Sequence, residues 1–236
     1  MSAVALVCCA LPGFDSLGYF SALVMGAVGS VVGLSLGAVE AHRIRASATS
    51  SHALLWGVMR SSWILLAPPL LILSLNALFV PNCDLLEGAS FYGMSAGIGI
   101  VFATQIGAAC ALILGGPRRG VVCALLLGAL WTLRDCYHLY TDPPIFVYNP
   151  FFGFFSGAIY DDVIAIDGRF VWFRIATATQ LAWLGCLIHL GWHDGGWSIA
   201  ALRAQGVRSR TRAWLLFAIL SFVCGGLYGA RSTIGY

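Results

Sequence analysis

Asp135 and His138 stand three residues apart in the run 131–140, with Arg134 next to them. On a helix that spacing puts the carboxylate and the imidazole on one face. The pair has the makings of a general acid and base, or of two metal ligands. No third ligand follows at a familiar spacing, and the eight Cys fit no CxxC pattern. No metal and no cofactor is therefore expected. The simpler expectation is an interfacial polar cluster beside the surrounding Trp and Tyr residues. No Walker motif, nucleophile elbow or channel filter is present, so no residue is assigned a catalytic role.

Arg174 is the second chemical landmark. It lies five residues past Arg169 inside an apolar run, and an ionisable group at that depth marks a functional site with a partner to be named. The candidates are Asp135, Asp161, Asp162 and Asp167, with Asp135 and Asp161 favoured; snorkelling to the interface is the alternative. The expected outer polar cluster is thus Arg134, Asp135, His138, Asp161, Asp162 and Arg174. Asn76, Gln105, Gln180 and His189 are read as interhelical hydrogen-bonding groups.

What positions these groups is a set of membrane spans. The 236 residues are 59% hydrophobic and 10% charged, against roughly 25% charged in an ordinary soluble domain. Mean hydropathy is +0.86. A soluble enzyme, a disordered tail and a nucleic-acid binder are excluded. Six stretches carry the ~20 apolar residues that a spanning helix needs: 17–39, 61–80, 91–114, 121–140, 169–192 and 213–230. Residues 3–11 are too short to span and read as an interfacial lead-in. The fold class expected is an all-α integral membrane bundle of six transmembrane helices in a single domain.

The thirteen basic residues are all Arg, and nine of them (43, 45, 60, 118, 119, 203, 208, 210 and 212) fall in the loops after the first, third and fifth spans. The positive-inside rule places those loops in the cytoplasm and both termini outside. The Arg-only usage suits a GC-rich coding genome, so the expected location is a bacterial cytoplasmic membrane.

Small residues recur where helices must approach closely. Gly29, Gly33 and Gly37 line one face of the first span, with Ala22, Gly26 and Ser30 beside them. Packing inside one bundle is the first reading; pairing with a second copy through that face is the other. Membrane lipids and other membrane subunits are the remaining expected partners. Pro68-Pro69 should kink the second span.

The outer loop 141–168 is the least ordinary segment. Tyr148, Phe151, Phe152, Phe154, Phe155 and Tyr160 crowd a stretch broken by Pro150, Gly153 and Gly157. It is too broken to span as a helix and too aromatic to float in water. It is expected to form an interfacial aromatic loop on the outer leaflet, packed on the bundle. Cys83 and Cys136 both fall at outer helix ends, where a disulfide between them would persist.

The strings VPNCDLLEG at 80–88 and PPIFVYNPFFGFFSGAIYDD at 143–162 resemble bacterial multi-pass membrane regions that stand ahead of an extracytoplasmic zinc-peptidase-like domain. The likeness is strongest over about residues 80–165. It implies an architectural role, with such a domain beginning where this chain stops, outside. The chain has no HExxH, so the resemblance carries no peptidase activity to any residue.

Three functions follow as expectations: an anchoring or scaffold module, a transporter or permease subunit, and an enzyme acting on lipid-linked substrate at the outer face. The scaffold is preferred. The topology is tested by single-Cys labelling on a Cys-free background. An impermeant thiol reagent should modify a Cys at position 162 and leave one at position 208 untouched in intact cells.

Overall fold

The computed structural model describes residues 1–47, 50–80, 84–141, 146–156, 164–193, 196–198 and 211–230. Seven helices are present among them: α1 (Ser2–Cys9), α2 (Tyr19–Arg45), α3 (Ser51–Asn76), α4 (Leu85–Leu114), α5 (Pro117–Thr141), α6 (Gly168–Gly191) and α7 (Thr211–Gly229). All but α1 are long and apolar enough to cross a membrane. Two antiparallel hairpins join them, β1 (Phe146–Asn149) with β2 (Gly153–Ser156), and the two-residue strands β3 (Trp192–His193) with β4 (Gly196–Trp197).

The helices outrun the apolar stretches that announce them. α2 continues through Arg43 to Arg45, and α3 begins at Ser51, ten residues before the expected span. Polarity marks where a helix leaves the bilayer, and the backbone goes on satisfying itself by helical bonds beyond that point. The Ser50 side chain caps α3 by accepting from the Ala53 N–H at 3.2 Å, which satisfies one of the donors a helix start leaves free.

α2 and α4 form the centre. Gly33 and Gly37 press on Ala103 and Thr104 of α4, and Gly107 answers by pressing on the Leu34 carbonyl of α2. A Cβ at Gly37 or Gly107 would overlap the partner's backbone, so glycine is what lets the two axes meet. The Gly29–Gly33–Gly37 face is therefore occupied within the chain. α3 joins through Ser62 Oγ and Thr104 Oγ1, 2.6 Å apart and fully buried. α1 packs on the bundle by one face: Ala5 and Cys8 enter the same core as Tyr19, Leu73 and Phe91, while Leu6 and Val7 are exposed.

Pro68-Pro69 sit inside an unbroken α3. Nearby, the Leu66 carbonyl accepts from the Tyr92 hydroxyl of α4 at 2.8 Å, which ties α3 to α4; the carbonyls that the two prolines deprive of a helical donor are those of Ile64 and Leu65, four residues back. α4 itself contains a π-helical turn over Gly93–Gly97.

α6 packs on α4, and α7 packs on α6 rather than on α5. Trp183 stacks on Phe217 with ring centroids 5.3 Å apart, and its indole N–H donates to Ser221 Oγ at 2.9 Å. The glycines of α7, Gly225, Gly226 and Gly229, meet no described atom within 4 Å of where a Cβ would lie. Among the described residues they do not pack a helix, contrary to the simple reading of small residues.

The contrast between these glycines is measurable. Gly107→Ala should destabilise the detergent-solubilised protein by about 1–3 kcal/mol through overpacking, seen as a lower thermal midpoint. Gly225→Ala should leave the midpoint unchanged or raise it.

Candidate functional site: the buried hairpin and its cleft

The aromatic loop is a hairpin, and its tip is buried. The bundle is helical as expected, but this β element corrects the strictly all-α reading. Phe146 pairs with Ser156 and Asn149 with Gly153, leaving Pro150–Phe152 as the turn. Val147, Asn149, Phe151 and Phe154 are buried, with Asn149 completely enclosed. Gly153 adopts φ +105°, and a Cβ there would lie 2.7 Å from Ser95 Oγ and 3.1 Å from Arg174 Nη2. Both the conformation and the space require glycine at this position.

The seat for the tip is built from small residues. Gly26 of α2 faces the Phe152 backbone, and Gly99 of α4 lets the Phe151 carbonyl come into direct contact. Gly26 lies seven residues along α2 from Tyr19, so the tip is held about 10 Å below the helix end at the helical rise. Enclosed by the helices, each buried backbone group of the tip needs a protein partner.

The helices supply those partners. Ser30 Oγ of α2 donates to the Phe151 carbonyl at 2.7 Å, and the Tyr19 hydroxyl to the Phe154 carbonyl at 3.1 Å. Arg174 Nη1 of α6 donates to the Pro150 carbonyl at 3.0 Å, and its Nη2 to the Ser95 carbonyl at 3.2 Å. Ser95 lies in the π turn of α4, and its carbonyl accepts from the Ile98 N–H as well as from Arg174. Asn149 Nδ2 donates to Asp135 Oδ2 of α5 at 2.6 Å, while its Oδ1 accepts from the Phe151 N–H at 2.8 Å.

Arg174 is therefore neither snorkelling nor paired with Asp135. It is 2% exposed, and its guanidinium lies 5.3 Å and 5.5 Å from the ring centroids of Phe170 and Phe173. Among the described residues its bonded partners are carbonyls, and the hairpin stands between it and Asp135. The two side chains are joined indirectly, through the adjacent residues Asn149 and Pro150. Arg174 Nε is buried with no partner among the described residues. Asp161, Asp162 and Tyr160 lie outside the described residues, as does Cys83 of the expected disulfide; Cys136 is exposed on α5.

The rest of the polar cluster opens into a cleft of about 350 Å³. Trp131, Arg134, Asp135 and His138 form one wall, at the i, i+3, i+4, i+7 spacing of a helix face. Phe173, Ala176, Thr177 and Gln180 of α6 form a second wall at the same spacing. Cys224, Leu227 and Tyr228 of α7 and the β1 residues Phe146–Tyr148 complete it. Asp135 and His138 do share this space, yet among the described residues no three His, Cys, Asp or Glu come close enough together to hold a metal ion.

Of the other polar residues, His189 Nδ1 lies 2.7 Å from Ser51 Oγ, tying α6 to α3, and Asn76 Nδ2 donates to the Asp15 carbonyl at 2.7 Å. Gln105 departs from expectation: its Oε1 is buried with no partner among the described residues. Sequence reasoning missed Asn149, Ser30 and Ser95 as fastening groups. The row Ala22–Gly26–Ser30 was the available signal for the hairpin seat.

Comparison with protein-family models, with curated proteins and with solved structures returns no match.

Arg174→Leu should free the hairpin by leaving the Pro150 carbonyl without its Arg174 donor and removing the link to Ser95, whose carbonyl keeps the Ile98 N–H. The orphaned group costs about 1–3 kcal/mol. Hydrogen exchange across 146–156 should rise while the α2–α4 core stays protected. Arg174→Lys should only partly restore protection, because an ammonium lacks the planar fork that spans two acceptors.

Proposed function

We propose that the chain is a membrane-embedded anchoring or scaffold module of a bacterial cytoplasmic membrane, with both termini and the hairpin end outside, of the kind that carries an extracytoplasmic domain. The observation that supports this reading is the fastening of one hairpin by α2, α4, α5 and α6 together. The intramembrane charge and most of the buried polar groups at that end hold backbone in place. A transport route would instead need such groups free to bind and release a solute. The Arg asymmetry supports the orientation, and the resemblance over about residues 80–165 supports the larger architecture.

The reading is tested in two parts. β-Lactamase fused after Tyr236 should be active outside and stay with the membrane pellet after alkaline washing. Proteoliposomes containing the chain should hold an imposed proton gradient and a trapped polar dye as well as empty vesicles do. A cytoplasmic reporter, or a gradient that collapses only when the chain is present, would overturn it.

A further inference from the structure

The hairpin's fastening leaves part of the polar cluster unused. Arg134 and His138 are exposed to the cleft, and Arg134 makes no ion pair among the described residues. The Asp135 carboxylate lines the same space while holding Asn149. Among the described residues one cation, one carboxylate and one imidazole thus face a single cavity.

The cavity's position matters as much as its charge. Arg134 lies seven residues before the end of α5, about 10 Å along the axis, and Gln180 twelve residues into α6, about 18 Å. The cleft therefore runs from the level of the helix ends toward the middle of the bundle. Because α7 packs on α6 rather than on α5, α5 and α7 stand as facing walls. Polar groups occupy the α5 side, and Leu227, Cys224 and Phe173 provide apolar surface opposite. A ligand suited to both is charged at one end and apolar at the other.

We propose that this cleft binds a zwitterionic phospholipid. Its phosphate accepts from Arg134 and His138, its ammonium lies against the Asp135 carboxylate, and its glycerol and upper acyl chains rest on Leu227, Cys224 and Phe173. The charges select the headgroup. Among the described residues the cleft carries the Arg134 guanidinium and the Asp135 carboxylate, with the His138 imidazole beside them. A purely anionic headgroup satisfies Arg134 but meets Asp135 as a like charge; a zwitterion answers both, with charge-assisted hydrogen bonds to the phosphate. The volume of about 350 Å³ falls within the range of ordinary ligand pockets, about 300–1,000 Å³, and accommodates the polar end while the chains continue into lipid.

The full chain, purified in detergent, is titrated with phosphatidylethanolamine and with phosphatidylglycerol of matched acyl chains, and bound lipid is read by native mass spectrometry. Phosphatidylethanolamine should bind roughly fivefold or more tightly than phosphatidylglycerol, the scale expected when a charge-assisted hydrogen bond takes the place of a like-charge repulsion. Arg134→Ala with His138→Ala should weaken both lipids by removing the phosphate contacts they share, without changing the lipid-free thermal midpoint, since both side chains are exposed. Arg119→Ala, near the opposite end of α5, should bind as the parent does. Equal or tighter binding of phosphatidylglycerol would overturn the proposal, as would a folded double variant that binds phosphatidylethanolamine as tightly as the parent. Displacement of the lipid by an equal concentration of inorganic phosphate would also overturn it, by showing a site for the free anion.

Discussion

Non-helical backbone held below the ends of membrane helices must find every hydrogen bond inside the protein, and the hairpin tip at Asn149–Gly153 is where this chain meets that demand. Three carbonyls of the hairpin, at Pro150, Phe151 and Phe154, accept from Arg174, Ser30 and Tyr19. The Phe151 N–H is taken by the neighbouring Asn149 side chain, which is itself held by Asp135. Four helices are thereby committed to one short segment.

Arg174 is the strongest of these ties and the most exacting. A guanidinium can serve two carbonyls on different elements because its donors are fixed in a plane, and here it joins the hairpin turn to the π turn of α4. The rings of Phe170 and Phe173 flank it, and their π faces offset part of the cost of taking the charge out of water.

The close approach that makes this possible begins with glycine. Gly33, Gly37 and Gly107 bring α2 and α4 together, so that the neighbouring row of α2, with Gly26 and Ser30, and Gly99 of α4 converge on the same space. The hairpin fills it with Phe151 and Phe154, which bury their rings against Phe102 and Phe170. Edge-to-face and tilted ring contacts of this kind add to the burial itself. The cleft beside α5 is what remains once the hairpin is seated, bounded by α6 and by the peripheral α7.

Much of this architecture was legible in the residues. The six apolar runs announced six long helices, because a chain of that hydropathy has few other ways to satisfy its backbone in lipid. Helix ends were less legible, since α2 and α3 continue as helices into Arg- and Ser-bearing segments. The Gly29–Gly33–Gly37 row correctly indicated close packing, and the joint position of Arg134, Asp135 and His138 followed from helical spacing alone. The breaks at Pro150 and Gly153 told against a spanning helix, again by a local rule. What stayed hidden was every contact between distant segments. That Arg174 bonds two carbonyls and does not meet Asp135 depends on the hairpin standing between them, and no spacing along the chain encodes that. Asn149 reads locally as a turn residue, and only its enclosure against α5 makes it the link between Asp135 and the tip. Local periodicity and hydropathy settle which segments are helices; which donor meets which carbonyl is settled by where the helices leave room, and that is decided only when the chain is folded.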